Sequence, residues 1–373
     1  MHCLDCLKTV NFVSASFEKR NNADMSDITS GKRYRNMTTE LLWKWIITLT
    51  LNTDGVSVFR TSRTGSLWPV YLTINELPPE CRFSLKYAIV CALWLHPSKP
   101  PRQAFLQLLM SQLKELSTNG ETFKTAEGLQ HCKVILIFIT CDLPARAMIL
   151  CMKQHNGQYA CPYCYNPGVT IGSDHLHQYW PIKHDAIART HASVVSDVTE
   201  AVDLRHPVKG MLNVVSPLLA LPGFDIVDGT AIDWMHVVYL GITRSLLDRW
   251  PTFSDEIYSI GDKVTFLDKR LLSIKAPDHF SRIPHTLKEF STWKGSENRS
   301  WLFFWSLPVL RGILPREHYI HYSILVVGCR LLCGMKISSN DIDRARQLLL
   351  KFYERHELLY AALTGSTPAT FCH

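Results

Sequence analysis

The 373-residue sequence has no apolar run long enough to span a membrane, no compositional repeat and no strong excess of one charge. Its longest apolar runs, Val134 to Ile139 and Tyr87 to Leu95, fall well short of the roughly 20 residues that cross a bilayer, so no membrane partner is expected. Met1 to Arg20 lacks the basic start, apolar stretch and small-residue cleavage site of a secretory leader. With 46% apolar and 20% charged residues, the chain is neither polar enough for a disordered protein nor repetitive enough for a fibrous one. The 12 cysteines are scattered through strand-like and helix-like segments, which suits reduced thiols better than a disulfide framework. An intracellular protein is expected. The 40 basic against 33 acidic residues give +7, a modest excess that suits a polyanionic partner without defining one.

The length leaves room for two or three domain-sized units, or one core with a large insertion. Residues 1–40 are polar and aperiodic and read as a poorly ordered arm. From Trp45 the character changes. Ile46 to Thr53 is β-branched and apolar, Asp54-Gly55 supplies a turn, and Val56 to Phe59 alternates again, which predicts a hairpin. A further strand is predicted over Leu67 to Ile74. Helical spacing follows over Leu85 to Leu95 and Gln103 to Leu116, then a buried strand over Lys133 to Thr140 and a helix from Ala145 to about Gln154. The order β-β-β-α-β-α describes an α/β mixed sheet of the ribonuclease H type over 41–155, with the fourth strand parallel to the first. Gly168 to Pro207 reads as an irregular stretch within a Cys/His-containing insertion over 156–230. A mainly helical region is expected over 231–360, with helices at Ile242 to Trp250, Trp301 to Ser306, His321 to Cys333 and Ser339 to Leu359.

Two acids stand out in that order. Asp54 ends the first strand and Asp142 the fourth, so both carboxylates are expected at one edge of the sheet, where open sheets bind ligands. Carboxylates there suit Mg²⁺ or Mn²⁺, hard ions that prefer oxygen ligands. Each acid also has an ordinary reading, Asp54 as a hairpin-turn residue and Asp142 as the N-cap of the helix at Pro144. Cys161-x-x-Cys164 has the spacing of half a zinc site. Arg344, Arg346 and Lys351 punctuate the last helix and are candidates to follow a nucleic-acid backbone, although a basic helix face is commonly just solvated.

The motifs Asn52-Thr53-Asp54-Gly55-Val56, Trp68-Pro69-Val70-Tyr71-Leu72, Ile74-Asn75-Glu76-Leu77-Pro78, Asp142-Leu143-Pro144-Ala145-Arg146, Met152 to Gly157, Cys161-Pro162-Tyr163-Cys164, Leu221 to Ile226 and Asp233-Trp234-Met235-His236 occur in that order. Together they resemble the CACTA (EnSpm-like) transposases, over about Asp27 to Leu359. The resemblance implies a DDE-type enzyme with a ribonuclease H-like core that cuts element ends and joins them to target DNA, using Mg²⁺ and three acids. Asp54 and Asp142 match the first two. His236 matches a histidine beside the active site, and its ordinary reading is a residue on a helix. The partners implied are transposon-end and target DNA, with a homo-oligomer and a nuclear location.

In relatives a His-x-x-x-His pair, expected to complete the zinc site, and a Phe-Glu-x-x-Asn segment with the third acid follow the region matching Leu349 to Leu359. Here residues 361–373 depart from the family pattern. The expectation is therefore a C-terminally truncated, catalytically incomplete chain. Glu297 is a substitute candidate for the third acid, its ordinary reading being a first-turn residue favoured by the helix dipole. The alternatives are a non-catalytic, domesticated fragment that binds DNA or protein, and an unrelated ribonuclease H-like nuclease.

Overall fold

A computed structural model describes residues 24–40, 45–57, 65–125, 128–171, 177–179, 185–252, 254, 256–278, 280 and 282–360. Residues 1–23 and the tail 361–373 lie outside the described residues. The chain divides into two compact units, one within Met1–Gly168 and Lys183–Ile232, the other within Val169–Ile182 and Asp233–His373.

The strands in chain order are β1 (Ile46–Thr53), β2 (Val56–Ser57), β3 (Ser66–Ile74), β4 (Ile89–His96), β5 (Glu121–Thr125), β6 (Gly128–Thr140), β7 (Val169–Ile171), β8 (His177–Tyr179) and β9 (Thr230–Ala231). In the first unit β1 lies between β3, which is antiparallel to it, and β6, which is parallel. Beyond these, β4 pairs antiparallel with β3, while β9 runs parallel to β6 and β5 antiparallel to it. The expected mixed sheet is present, with the later buried strand parallel to the first. Its helices are α1 (Lys32–Glu40), α2 (Pro79–Arg82), α3 (Ala104–Thr118), α4 (Leu143–Ile149) and α5 (His191–Leu204). Leu106, Met110 and Leu113 of α3 join Leu49, Leu51, Val70, Leu136 and Ile139 of the sheet in one core, so the crossover buries the apolar stripe that its helical spacing announces.

Three sequence expectations are corrected. Leu85 to Leu95 is not a helix; Ile89–His96 is strand β4. A short apolar run satisfies either geometry, and here the β-branched start and a partner in β3 decide for strand. The predicted β1–β2 hairpin is absent. Thr53 pairs with Val70 and Val56 with Leu67, so β2 continues β1 in one register against β3 and the chain passes straight through Asp54-Gly55. These residues lie opposite Pro69 and Trp68. Pro69 has no N–H to offer the ladder, and the Trp68 indole lies over Gly55, where an added Cβ would meet its ring at 2.7 Å. Finally, 24–40 is not an aperiodic arm throughout. Asp27 makes a two-pronged pair with Arg82, at 2.7 Å on both prongs, and α1 buries Tyr34 with Ile46, Ile135 and Ile137.

After β3 the chain turns at Asn75-Glu76, both buried. The Glu76 carboxyl accepts the Thr48 N–H at 3.1 and 3.0 Å and the Thr48 hydroxyl at 2.7 Å. Burial pushes its pKa up to about 7, against the opposing pull of the hydrogen bonds from Thr48. Between pH 4.5 and 7 the folded state thus holds a proton that the unfolded chain has released, so stability falls as pH rises through that window. Glu76→Gln is expected to remove this dependence, worth about 3 kcal/mol. Urea melts of the two proteins from pH 4.5 to 8 check it, and parallel profiles would remove the assignment.

The second unit contains the β7–β8 hairpin and is otherwise mainly helical. A π-helical stretch, Met235–Thr243, runs into α6 (Arg244–Thr252), followed by α7 (Val264–Leu272) and α8 (Gly295–Ser300). A second π-helical stretch, Trp301–Trp305, leads to α9 (Ser306–Leu310), α10 (Arg316–Leu332) and α11 (Ser339–Leu359). The helices expected here are present. Trp250, Trp301, Tyr258 and Tyr322 are its largest fully buried side chains. Where α10 and α11 pack together, His318, His321 and His356 are also buried, and the Nε2 atoms of His318 and His321 bond the Leu359 and Phe352 carbonyls at 3.1 and 2.8 Å.

Candidate functional site

The parallel register of β1 and β6 brings Asp54 and Asp142 to one level. The last paired residues are Asn52 and Thr140, tied further by the Asn52 Nδ2 donating to the Thr140 carbonyl at 2.6 Å. Two residues beyond each stand Asp54 and Asp142, and alternation along a strand gives i and i+2 the same face. Both are half-buried. Asp142 is also the N-cap of α4, its Oδ1 accepting the Ala145 N–H at 2.7 Å, so the capping geometry fixes a carboxylate beside the strand end.

Two neighbours of Asp142 carry roles that only the structure reveals. Arg146, one helical turn on, is buried with its guanidinium 5.9 Å from the Tyr163 ring centroid. With His155 it lines a cavity of about 10 Å³. The His155 Nδ1 is buried without a hydrogen-bond partner among the described residues. Burial, then the charge of Arg146, hold His155 below the usual imidazole range, while Asp142 opposes them. The spacing of Asp142 and Arg146, four apart at a helix start, was the available signal.

Cys161 and Cys164 form a tight knuckle. Their sulfurs are 3.4 Å apart, and the N–H groups of Tyr163 and Cys164 each donate to the Cys161 sulfur at 3.2 Å. The hydrogen bond with Cys161 draws the Cys164 thiol below its ordinary value, whereas burial, then that same hydrogen bond, push Cys161 up. Two adjacent soft sulfur donors, one of them supported by backbone N–H groups, suit two positions of a tetrahedral Zn²⁺ site.

Arg189 holds this knuckle in place, and nothing in the sequence marked it. Its Nε donates to the carbonyls of Cys161 and Cys164 at 2.9 and 3.2 Å, and its Nη2 to those of Tyr159 and Lys209 at 3.1 and 2.6 Å. The guanidinium lies 4.2 Å from the Tyr165 ring centroid and 3.5 Å from Asp197 on α5, both Arg189 and Asp197 being buried. Helix α5, in a stretch expected to be irregular, starts at Thr190, whose hydroxyl accepts the Ser193 N–H at 3.1 Å. It buries Val194, Val198 and Ala201.

In the second unit, the Asp233 carboxylate accepts the His236 N–H at 3.1 Å and lies 2.7 Å from its Nδ1. Burial pushes the Asp233 pKa up, but the His236 hydrogen bonds outweigh it and leave a net lowering. The imidazole is thereby fixed at the start of a π-helical stretch. Glu297 is buried in the first turn of α8 and accepts the Lys294 N–H at 2.8 Å, the geometry of its ordinary capping reading. Arg344, Arg346 and Lys351 are all exposed on α11. At 3.6 residues per turn, Arg344 and Lys351 share a face and Arg346 points away from it.

Among the described residues no group of three His, Cys, Asp or Glu side chains converges as a metal site, and no helix is long and apolar enough to cross a membrane. No curated protein matches the chain. Residues 44–193, the stretch that holds Asp54, Asp142, the cysteine knuckle and Arg189, match the transposase family tnp2; the chain carries a CACTA (EnSpm-like) transposase-family domain there.

Proposed function

We propose that the chain is transposase-derived, with a ribonuclease H-like sheet whose ancestral work is metal-dependent DNA cleavage and strand transfer. The observation that carries this is the β1–β6 register, which levels Asp54 with Asp142 inside the matched domain. Three antiparallel strands, a helical crossover and two further parallel strands support the sheet assignment. The two carboxylates fit a hard divalent ion, which keeps most of its other positions for water and substrate oxygens. Mg²⁺ or Mn²⁺ held there would polarise the scissile phosphate and stabilise the leaving oxygen. Asp142 is oriented by its cap on α4, and Asp54 by the strand that runs straight through it. Asp233 holds the His236 imidazole in a fixed orientation, suited to donating a hydrogen bond to a phosphate oxygen. Cys161 and Cys164 supply half of a structural zinc centre. Arg344 and Lys351 are positioned to follow a DNA backbone, with Arg346 on another face. The proposed partners are transposon-end and target DNA and a second copy of the chain, in the nucleus.

Asp54→Asn is expected to abolish Mn²⁺-dependent nicking of supercoiled plasmid by the purified chain, at least 100-fold below wild type, since charge stabilisation and positioning carry this chemistry. Nicking that survives the substitution would remove Asp54 from the metal site. A second reading, a DNA-binding protein that does not cut, is favoured by one observation. Among the described residues no third ligand joins the two acids. It predicts wild-type DNA retention with no nicking in either protein.

A further inference from the structure

The first unit carries an open groove of about 770 Å³ beside α1. Lys32, Arg33 and Met37 of α1 line one side, and Lys133 and Phe138 of β6 lie across it, with Asp228 also present. Three cations thus face one carboxylate. Arg33 is held in place: its Nε donates to the Ile137 carbonyl at 3.2 Å and its guanidinium carbon lies 5.9 Å from the Phe138 ring centroid. Its Nη2 is buried and has no hydrogen-bond partner among the described residues. A guanidinium does not deprotonate, and a buried donor without an acceptor is costly, so a small shift of the Arg33 side chain toward the groove that gives this atom an acceptor is favourable. Asp225 and Asp228 act on the Arg33 charge but form no ion pair with it among the described residues.

We propose that this groove binds a nucleotide unit, its phosphate on Arg33, Lys32 and Lys133 and its base against Phe138 and Met37. A flat aromatic floor beside clustered cations fits a ring that carries a phosphate, whether free or within a strand. A metal cation is disfavoured by the positive excess, and a wholly apolar ligand would leave the Arg33 donor unmet. The groove is distinct from the carboxylate pair. Neither Asp54 nor Asp142 lines it, and the groove runs back along β6 from Phe138 to Lys133, the residue that pairs at the far end of the β1–β6 ladder. Only the strand form of the ligand rests on the DNA reading above.

Two probes separate the sources: a fluorescein-labelled single-stranded oligothymidylate 8-mer and a fluorescent derivative of adenosine monophosphate, each titrated by anisotropy against the full chain. Arg33→Gln is expected to weaken binding at least tenfold and Lys32→Gln severalfold. Loss confined to the oligonucleotide assigns the unit to a strand; loss for the mononucleotide assigns a free nucleotide. Circular dichroism accompanies each variant, and if Arg33→Gln unfolds, the exposed Lys32 position decides. No binding of either probe by the wild-type chain, or equal binding by folded variants, overturns the proposal. Nicking is scored separately, so failure of the groove and failure of the metal-site reading are distinguishable.

Discussion

Acidification from pH 7 to pH 4 is expected to melt the helical second unit cooperatively, with loss of far-ultraviolet helix signal and a change in tryptophan emission as Trp250 leaves its Tyr360 hydroxyl partner at 3.0 Å. The cause lies between α10 and α11. Burial holds His321 down at about 4 and His356 at about 3, and also lowers His318. Arg355 and Arg249 add to this on His321 and His356, respectively, while Glu317 and Glu256 oppose it on His318. The geometry agrees. The His321 Nε2 bonds a carbonyl, so it carries the hydrogen, and the Nδ1 is left buried without a hydrogen-bond partner among the described residues. Protonation there places a charge in an aromatic core. Each group has a folded pKa below the unfolded value of 6.5, so the unfolded chain binds more protons below that pH; stability is full above pH 6.5 and lost as pH falls. His321 alone accounts for about 3 kcal/mol, a large share of the 5–15 kcal/mol that holds an ordinary domain. His356→Leu should move the acid midpoint downward. An unmoved midpoint in both His321→Gln and His356→Leu would place the acid sensitivity elsewhere. Glu76 gives the first unit the opposite sense, so the two units are expected to melt as separate transitions that diverge as pH changes.

The second large effect is expected from Arg189→Met. The substitution strips hydrogen bonds from four carbonyls, at Tyr159, Cys161, Cys164 and Lys209. It also leaves Asp197, 3% exposed, with Lys209 at 3.1 Å and the Tyr165 hydroxyl as its remaining partners. Removing one member of a buried pair costs about 3–5 kcal/mol. The segment around the cysteine knuckle should therefore open to protease, and the buried Cys161 should react rapidly with a thiol reagent that reaches it only slowly in the folded wild type. Arg189→Lys is not expected to rescue, because an ammonium group cannot reach carbonyls on two sides in one plane. Arg189→Met combined with Asp197→Leu should recover part of the loss, since no charge is then left buried alone. Wild-type melting and thiol protection in the single variant would show that the network is dispensable.

The sequence made much of this sheet readable because period and composition agreed with the final packing. Ile46 to Thr53 and the apolar half of β6 are rich in β-branched residues and Leu67 to Ile74 in apolar and aromatic ones, all of strand length, and Ser339 to Leu359 opens with a Ser338 cap and keeps helical spacing to its end. Asp142 stood out because an acid that ends a buried strand before a proline has few uses. The failures have physical reasons too. Tyr87 to Leu95 is apolar at nearly every position, so no period distinguishes helix from strand, and the partner that decides it is β3. Asp54-Gly55 carries the composition of a reversing turn, yet Gly55 is required by the Trp68 ring rather than by a turn. Glu76, Arg189 and His321 were invisible because a polar side chain becomes structural only through partners 28, 20 to 30 and 31 residues away.

Strand β4 has a consequence for the molecule outside its chemistry. Ile89–His96 contains no Lys, Arg, Asp, Glu or Pro, pairs only with β3 among the described residues, and leaves Val90, Leu93 and Leu95 more than half exposed. Natural edges are blunted by charge, proline or a covering element, and this one carries neither charge nor proline. An apolar strand of this composition is expected to favour strand-by-strand association at high concentration, which would limit how much folded chain can be kept in solution.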